Sequence, residues 1–273
     1  MAVLYVVGTP IGNLEDVTLR ALRILRGVGL VAAEDTRSTR HLLDAHHIEA
    51  RVTSYHEHNK EAKLPYLLNY VKDHDIALVS EAGMPGISDP GFELIRAAVH
   101  AGISVVPVPG PSALITALAV SALPSDQFVY VGFLPRRPAE RRRLLRSVAL
   151  EPRTIVAFEA PHRLGRSLNE VLAMLGDRPI AVARELTKVH EEVFRGSVSE
   201  ALSHFAQPRG EFTLVIGGAS EAATPDVTPE VEEALAKLRQ TGLSAKEAVA
   251  ALSGETGLPR RRLYRVWISQ QHG

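Results

Sequence analysis

Residues 76–91, Ile-Ala-Leu-Val-Ser-Glu-Ala-Gly-Met-Pro-Gly-Ile-Ser-Asp-Pro-Gly, constrain the fold of this chain more than any other stretch. A short apolar run gives way to three glycines and two prolines within the nine residues 83–91. Such a run can neither continue a strand nor sit inside a helix: proline lacks the amide hydrogen, and glycine loses the most backbone entropy on ordering. It predicts a bent corner whose main-chain N–H and C=O groups a ligand can approach closely. The following stretch, Phe92 to Gly102, reads as a helix closed by a glycine C-cap. Strand, glycine-rich corner, helix is how open α/β sheets build ligand sites at the carboxyl ends of their strands.

The same unit recurs on either side. Val3–Val7 is a continuous apolar strand followed by Gly8-Thr-Pro-Ile-Gly12-Asn13, and Ile103–Val108 leads into Pro109-Gly110-Pro111-Ser112. Asp16 or Thr18 caps the helix carrying Leu19, Leu22, Ile24 and Leu25, and Ser112 is placed to cap a helix over 114–122. A strand at 30–33 ends in Glu34-Asp35-Thr36-Arg37. That tetrad either points into a site or caps the next helix through Asp35 or Thr36. His56 and His58 share one face if 53–59 is a strand, but no third ligand stands near them. The pair therefore reads as hydrogen-bonding surface rather than a metal site. Lys60 to His74 reads as a helix. Residues 1–123 are thus expected to form an open sheet of mainly parallel strands.

The second half has another texture. Five strands are expected at 128–133, 154–158, 180–184, 192–196 and 212–216, with helices at 139–149, 161–175 and 197–206. The close pair at 180–196 suggests a hairpin and hence a mixed sheet in a second α/β domain, 124–220. A linker at 223–229 opens the last segment, 221–273, with helical patterns at 229–240, 244–253 and 259–270. Gly257 to Trp267 resembles the second helix of a helix-turn-helix, which contacts nucleic acid or merely packs.

Composition narrows the function. The chain has 273 residues, no cysteine and a formal charge of zero. Disulfides and thiolate metal sites are excluded, and a reducing cytoplasm suits such a chain. Nucleic-acid binding would need a local patch rather than an overall field. Residues 97–125 lack Asp, Glu, Lys and Arg, yet Pro107, Pro109, Gly110 and Pro111 break them, so core rather than a membrane span is expected. The patch exists: residues 136–146 hold six arginines (Arg136, Arg137, Arg141, Arg142, Arg143, Arg146) and one glutamate. Arginine forks suit phosphate, whereas an ordinary solvated helix face mixes signs. Glu159-Ala-Pro-His162-Arg163 and Arg184-Glu185-Leu-Thr-Lys188 each follow a strand, facing the cleft or forming a surface ion-pair network. No GxSxG, HExxH, Walker A or GxGxxG sequence is present.

Gly8–Asn13, Ala82–Gly91, Pro109–Ala113 and Thr213–Gly217 resemble the tetrapyrrole methylase superfamily. Glu34–Arg37, Ser80–Gly91, Phe158–Arg163 and Arg184–Lys188 resemble, within it, the ribosomal RNA small-subunit methyltransferase I family. The resemblance implies two α/β domains plus a small helical C-terminal extension, with S-adenosylmethionine in the cleft and a homodimer. The implied donor contacts are Ile11, Gly83, Met84, Pro85, Ile87, Ser88, Ser112, Ala113, Phe158, Ala160, Phe212, Thr213 and Leu214. The superfamily's usual Gly-Gly-Asp-Pro is Ala82-Gly83-Met84-Pro85 here, so a carboxylate contact at Met84 does not transfer. The implied reaction is 2′-O-methylation of a cytidine ribose in the decoding region of 16S rRNA, in the small ribosomal subunit, without a metal. Clustered arginines favour RNA over a corrin. A small-molecule methylase and a non-catalytic ribosome-binding protein are the alternatives.

A ribose hydroxyl is a weak acid, and a base helps to remove its proton. Lys188 could serve if its pKa were lowered near Arg184; Glu34, Asp35, Glu81, Asp89 and Glu185 are carboxylate candidates. Lys188 and Glu185 are expected near the hydroxyl. Arg37 and Arg163, with His162 and the 136–146 arginines, are expected to hold phosphate or ribose.

Overall fold

The structure is a computed structural model that describes residues 2–219 and 227–270. Val3–Val7 (β1), Leu30–Ala33 (β2), Val52–Ser54 (β3), Ile76–Val79 (β4) and Ser104–Val108 (β5) form one sheet in the order β3-β2-β4-β1-β5. Every pairing in it is parallel. β2 and β4 are buried along their whole length, which is why they read as unbroken apolar runs. Leu19–Gly27 (α1) and Thr36–Ala45 (α2) cover one face through Leu22, Leu25, Leu42 and Leu43. Lys60–Tyr70 (α3) and Phe92–His100 (α4) cover the other through Leu67, Leu94 and Ala98.

The second lobe is Phe128–Phe133 (β6), Pro138–Ser147 (α6), Thr154–Glu159 (β7), Leu164–Leu175 (α7), Pro179–Arg184 (β8), Glu192–Ser197 (β9), Val198–His204 (α8) and Phe212–Ile216 (β10). Its sheet runs β6-β7-β10-β8-β9. β6 and β7 are parallel and the rest antiparallel, with β8 and β9 a hairpin in register from Pro179↔Ser197 to Arg184↔Glu192. Helices α6, α7 and α8 cover one face around Leu145, Leu164, Leu168, Val198 and Ala201. The other face is covered by a helix of the first lobe, Ala113–Val120 (α5). Leu114, Ala117 and Leu118 of α5, with Ile11, pack on Val156, Ala181, Ala183 and Val215. At the end of α5, Arg195 of β9 donates from Nε to the Val120 carbonyl at 2.9 Å. The two lobes therefore share a core.

Pro229–Gln240 (α9), Ala245–Thr256 (α10) and Arg260–Ser269 (α11) gather around their own centre of Leu235, Val249, Leu252, Leu263 and Trp267. Gly257, at φ +71°, opens the short turn between α10 and α11. Residues 223–226 of the expected linker lie outside the described residues.

Some local expectations shift. Thr18 rather than Asp16 caps α1, its hydroxyl accepting from the Ala21 N–H at 3.0 Å. Ser112 stands at the N-cap of α5 but makes no side-chain capping bond. The third helix ends at Tyr70 rather than His74, and α5 spans 113–120 rather than 114–122. β3 stops at Ser54, so His56 and His58 are not strand neighbours; their rings meet edge-on in the loop beyond. Among the described residues no helix is long and apolar enough to cross a membrane.

Candidate active site

Because β4, β1 and β5 are adjacent and parallel, their carboxyl ends lie side by side, and so do the three Gly/Pro corners that follow them. The corners touch. Thr9 and Gly83 exchange main-chain hydrogen bonds of 2.9 and 3.1 Å, and the Gly8 N–H reaches the Val108 carbonyl at 3.0 Å. A Cβ added to Gly8 would stand 2.8 Å from the Gly110 Cα, so only glycine permits this approach. Gly83 and Gly86, both at φ +80°, turn the second corner.

Between these corners and the second sheet lies a cavity of about 600 Å³. The first lobe lines it with Ile11, Glu81, Gly83, Met84, Ile87, Ser112 and Ala113, and the second with Phe158, Ala160, Phe212, Thr213 and Lys188. Three further residues of the expected donor set are not on the wall. Leu214 is fully buried in β10, Pro85 is buried in the corner, and Ser88 turns its hydroxyl to the hydroxyl of Tyr130 in the other lobe. Asp35 is also off the wall. Its Oδ1 accepts from the Arg37 and Ser38 amides at 2.7 and 3.2 Å, capping α2. Those bonds hold its carboxyl below the usual range. Arg37 points into solvent, its side chain 91 % exposed.

Three carboxylates share one side of the cavity: Glu34, Glu81 and Asp89. Burial, opposed by a hydrogen bond from the Glu81 amide and reinforced by the Glu81 and Asp35 charges, holds Glu34 above its ordinary value. Burial, with the charges of Glu34 and Glu81, pushes Asp89 up to about 7 despite a hydrogen bond from Ser80. Among the described residues no group of three or more His, Cys, Asp or Glu is arranged to hold a metal ion.

On the second lobe's part of the wall, Lys188 Nζ lies 3.1 Å from Glu185 Oε1 and 2.9 Å from Glu211 Oε2. Burial pulls its pKa down, but the hydrogen bonds and charges of Glu211 and Glu185 outweigh burial, and the net shift is upward. The lowered value expected near Arg184 is therefore reversed; Arg184 instead pairs with Glu192 at 3.0 Å. Glu185 is not on the cavity wall and ties the loop down, its Oε1 also accepting the Glu211 amide at 2.9 Å. The loop is strained: Glu185 and Thr187 sit at φ +49° and +68°, rare for any non-glycine residue and more so for a β-branched one.

Two expected RNA arginines hold the protein together instead. Arg141 is 3 % exposed, its Nε 2.7 Å from Glu170 Oε2 and its Nη1 3.1 Å from the Pro135 carbonyl. Arg163 pairs at 2.6 Å with buried Glu159 and donates to the Leu134 carbonyl. Arg136, Arg137 and Arg143 are exposed, as is His162; Arg142 is half-buried beside Glu170. Glu211 and Phe133 also line the cavity, though neither stood out in the sequence. A signal existed for both, since Phe133 closes β6 and Glu211 immediately precedes β10.

Residues 3–202 match the family described as Tetrapyrrole (Corrin/Porphyrin) Methylases, and residues 225–271 match the RsmI C-terminal HTH domain. The Ribosomal RNA small subunit methyltransferase I of Synechocystis is 47 % identical over 271 residues, covering 97 % of each chain. This chain belongs to the ribosomal RNA small subunit methyltransferase I family. The Bacillus subtilis member is 41 % identical over 279 residues, covering 99 % of this chain and 96 % of its own. The Thermotoga maritima member is 50 % identical over 221 residues, 99 % of its length but only 80 % of this chain. The family core is thus met with a fifth of this chain left over. Crystal structures of Thermus thermophilus uroporphyrin-III C-methyltransferase (TM-score 0.57, 21 % identity) and of diphthine synthase (0.61, 15 %) each align with 79 % of this chain. They cover 94 % and 90 % of those proteins and share the fold. The family match, residues 3–202, spans the first lobe and most of the second, and so takes in all three corners in contact at the cavity.

Proposed function

We propose that this chain methylates the ribose 2′-hydroxyl of a cytidine in the decoding region of 16S rRNA, with S-adenosylmethionine as methyl donor. The observation that supports it best is that, in a member of this family, one cavity is lined by the glycine corners and the carboxylates of Glu34, Glu81 and Asp89 from the first lobe and by the Lys188 ammonium from the second.

The wall suits the donor chemically. Gly12 and Gly83 on the wall can offer only main-chain atoms, beside the apolar Ile11, Met84 and Ala113, and the close Gly8–Gly110 approach holds the corners that carry them side by side. Ile11, Gly83, Met84, Ser112, Ala113, Phe158, Ala160, Phe212 and Thr213 would hold it. S-adenosylmethionine supplies an electrophilic methyl group, so the protein's task is mostly alignment of the hydroxyl. Proton removal falls to a carboxylate. Glu159 is locked by Arg163, Ser167 and the Ala160 amide, and Glu211 by Lys188. Glu34 accepts from the Glu81 amide at 3.1 Å. Asp89, poised near neutrality, is the base in this scheme, with burial and then the charges of Glu34 and Glu81 keeping its proton affinity high. Lys188 acts as an ammonium that offsets negative charge as the hydroxyl loses its proton. Exposed Arg136, Arg137, Arg143 and Arg37 would contact phosphates.

The test is mass spectrometry of 16S rRNA nucleosides after incubation of small ribosomal subunits with protein and donor. One added 2′-O-methylcytidine supports the reading; methyl in another nucleoside, or label only in a tetrapyrrole, refutes it. A cytoplasmic homodimer is part of the same proposal, and sedimentation at micromolar concentration tests the dimer.

A further inference from the structure

We propose that Phe133 and Ile87 form a slot at the cavity mouth that receives the unpaired base of the target nucleotide. The inference rests on the RNA reading above and adds the element that grips the base. Both residues line the cavity, yet Phe133 is 54 % and Ile87 49 % exposed. Large apolar side chains left half in water on the wall of a ligand cavity mark a surface meant to be covered.

Their placement is built. Phe133 closes β6 and leans on Phe158 with ring centroids 5.3 Å apart, while Tyr130 meets Phe158 edge-on at 5.4 Å. One face of the Phe158 cluster is thus fixed from within the second lobe. Ile87 comes from the first lobe, on the second corner. The residues next to each meet: the Ser88 hydroxyl bonds the Tyr130 hydroxyl, and a Cβ on Gly132 would stand 3.6 Å from Ser88 Oγ. The two apolar groups therefore flank the point where the lobes touch, with Asp89 two residues beyond Ile87 on the same wall.

Charge identifies the occupant. Exposed Arg136 and Arg137 follow Phe133 within four residues of chain; Arg137 shares its exposed guanidinium with Glu140 at 3.1 Å. An aromatic face beside exposed arginines fits a nucleotide of single-stranded RNA, its base stacked on the ring and its phosphates on the guanidinium groups. A nucleotide must leave its stack to bring its ribose into a cavity, and an apolar slot offsets part of the lost stacking.

Two measurements test this. First, kcat/KM for small ribosomal subunits is compared for Phe133→Leu, Phe133→Ala and Phe133→Tyr, with the Kd for S-adenosylmethionine measured alongside. Stacking predicts a roughly 10- to 100-fold loss for Leu and Ala beyond any change in donor Kd, and recovery to within about threefold by Tyr. Equal activity of the Leu variant overturns the slot, and so does an equal loss in all three. Second, Phe133→Trp is titrated with a single-stranded oligocytidylate and, separately, with inorganic polyphosphate. Quenching of the new indole by the oligonucleotide but not by polyphosphate supports stacking; quenching by both or by neither overturns it. Wild-type self-association that weakens in Phe133→Leu, without base-dependent quenching, assigns the face to a second copy of this chain instead. If the wild type methylates no subunit RNA but the indole is quenched, the RNA-methylation reading fails while the slot stands.

Discussion

Asp89 shows how one side chain can link stability to function. Its carboxyl, ordinarily near 3.8, is pushed up to about 7 by burial and by Glu34 and Glu81. Between those values the folded protein holds a proton that the unfolded chain has released. This group therefore favours folding below about pH 4, and that advantage is lost as pH rises to 7. Asp89→Asn should raise the melting temperature at pH 8 by roughly a few degrees and leave it unchanged at pH 3, as calorimetry can check. If Asp89 is the base, wild-type kcat climbs through about pH 7 and then levels, and the Asn variant loses about 100-fold and the pH dependence with it. Glycines differ as sharply. Gly8→Ala drives a methyl group into the Gly110 main chain and should weaken S-adenosylmethionine binding by more than roughly tenfold in calorimetry. Gly27→Ala meets nothing within 4 Å at the end of α1 and should stabilise by about 0.5 kcal/mol.

At the scale of elements, α6 is the instructive case. Read along the chain it is a row of arginines; in space the row divides. Arg141 faces α7 and is desolvated against Glu170, whereas Arg143 and Arg146 face water. Arg141→Ala leaves Glu170 with only the half-exposed Arg142 at 3.4 Å and removes the bond to the Pro135 carbonyl, and should cost about 2 kcal/mol in denaturant unfolding. Arg143→Ala should leave unfolding unchanged and reduce the salt slope of RNA binding by about one. An unchanged slope would remove Arg143 from the RNA surface. The periodicity of 136–146 does not reveal this division, because both kinds of arginine look alike until α7 supplies Glu170.

On the scale of the whole molecule, α5 joins the lobes and the tail stands apart. α5 belongs to the first lobe by sequence and covers the second lobe's sheet, so the cavity has walls from both lobes with one continuous core behind it. The three tail helices have a separate core, and among the described residues none beyond 213 lines the cavity. Removing residues 227–273 should leave S-adenosylmethionine affinity unchanged within about twofold and weaken binding to small ribosomal subunits, read by filter binding at several salt concentrations. A loss of donor affinity would mean that the tail supports the lobes after all.

The strands, most helices and the three corners were legible in the chain, since apolar runs, Gly/Pro clusters and helical spacing are local signals and these elements follow local rules. The strand order was not, yet it is what sets β4, β1 and β5 side by side and makes one cavity of three separate motifs. Likewise the residue types of Arg141, Arg163, Asp35 and Lys188 were evident, but not their roles. A charged group takes its role from the partners and the burial it acquires on folding, and Glu170, Glu159, the α2 amides and Glu211 reach these four only in the packed structure.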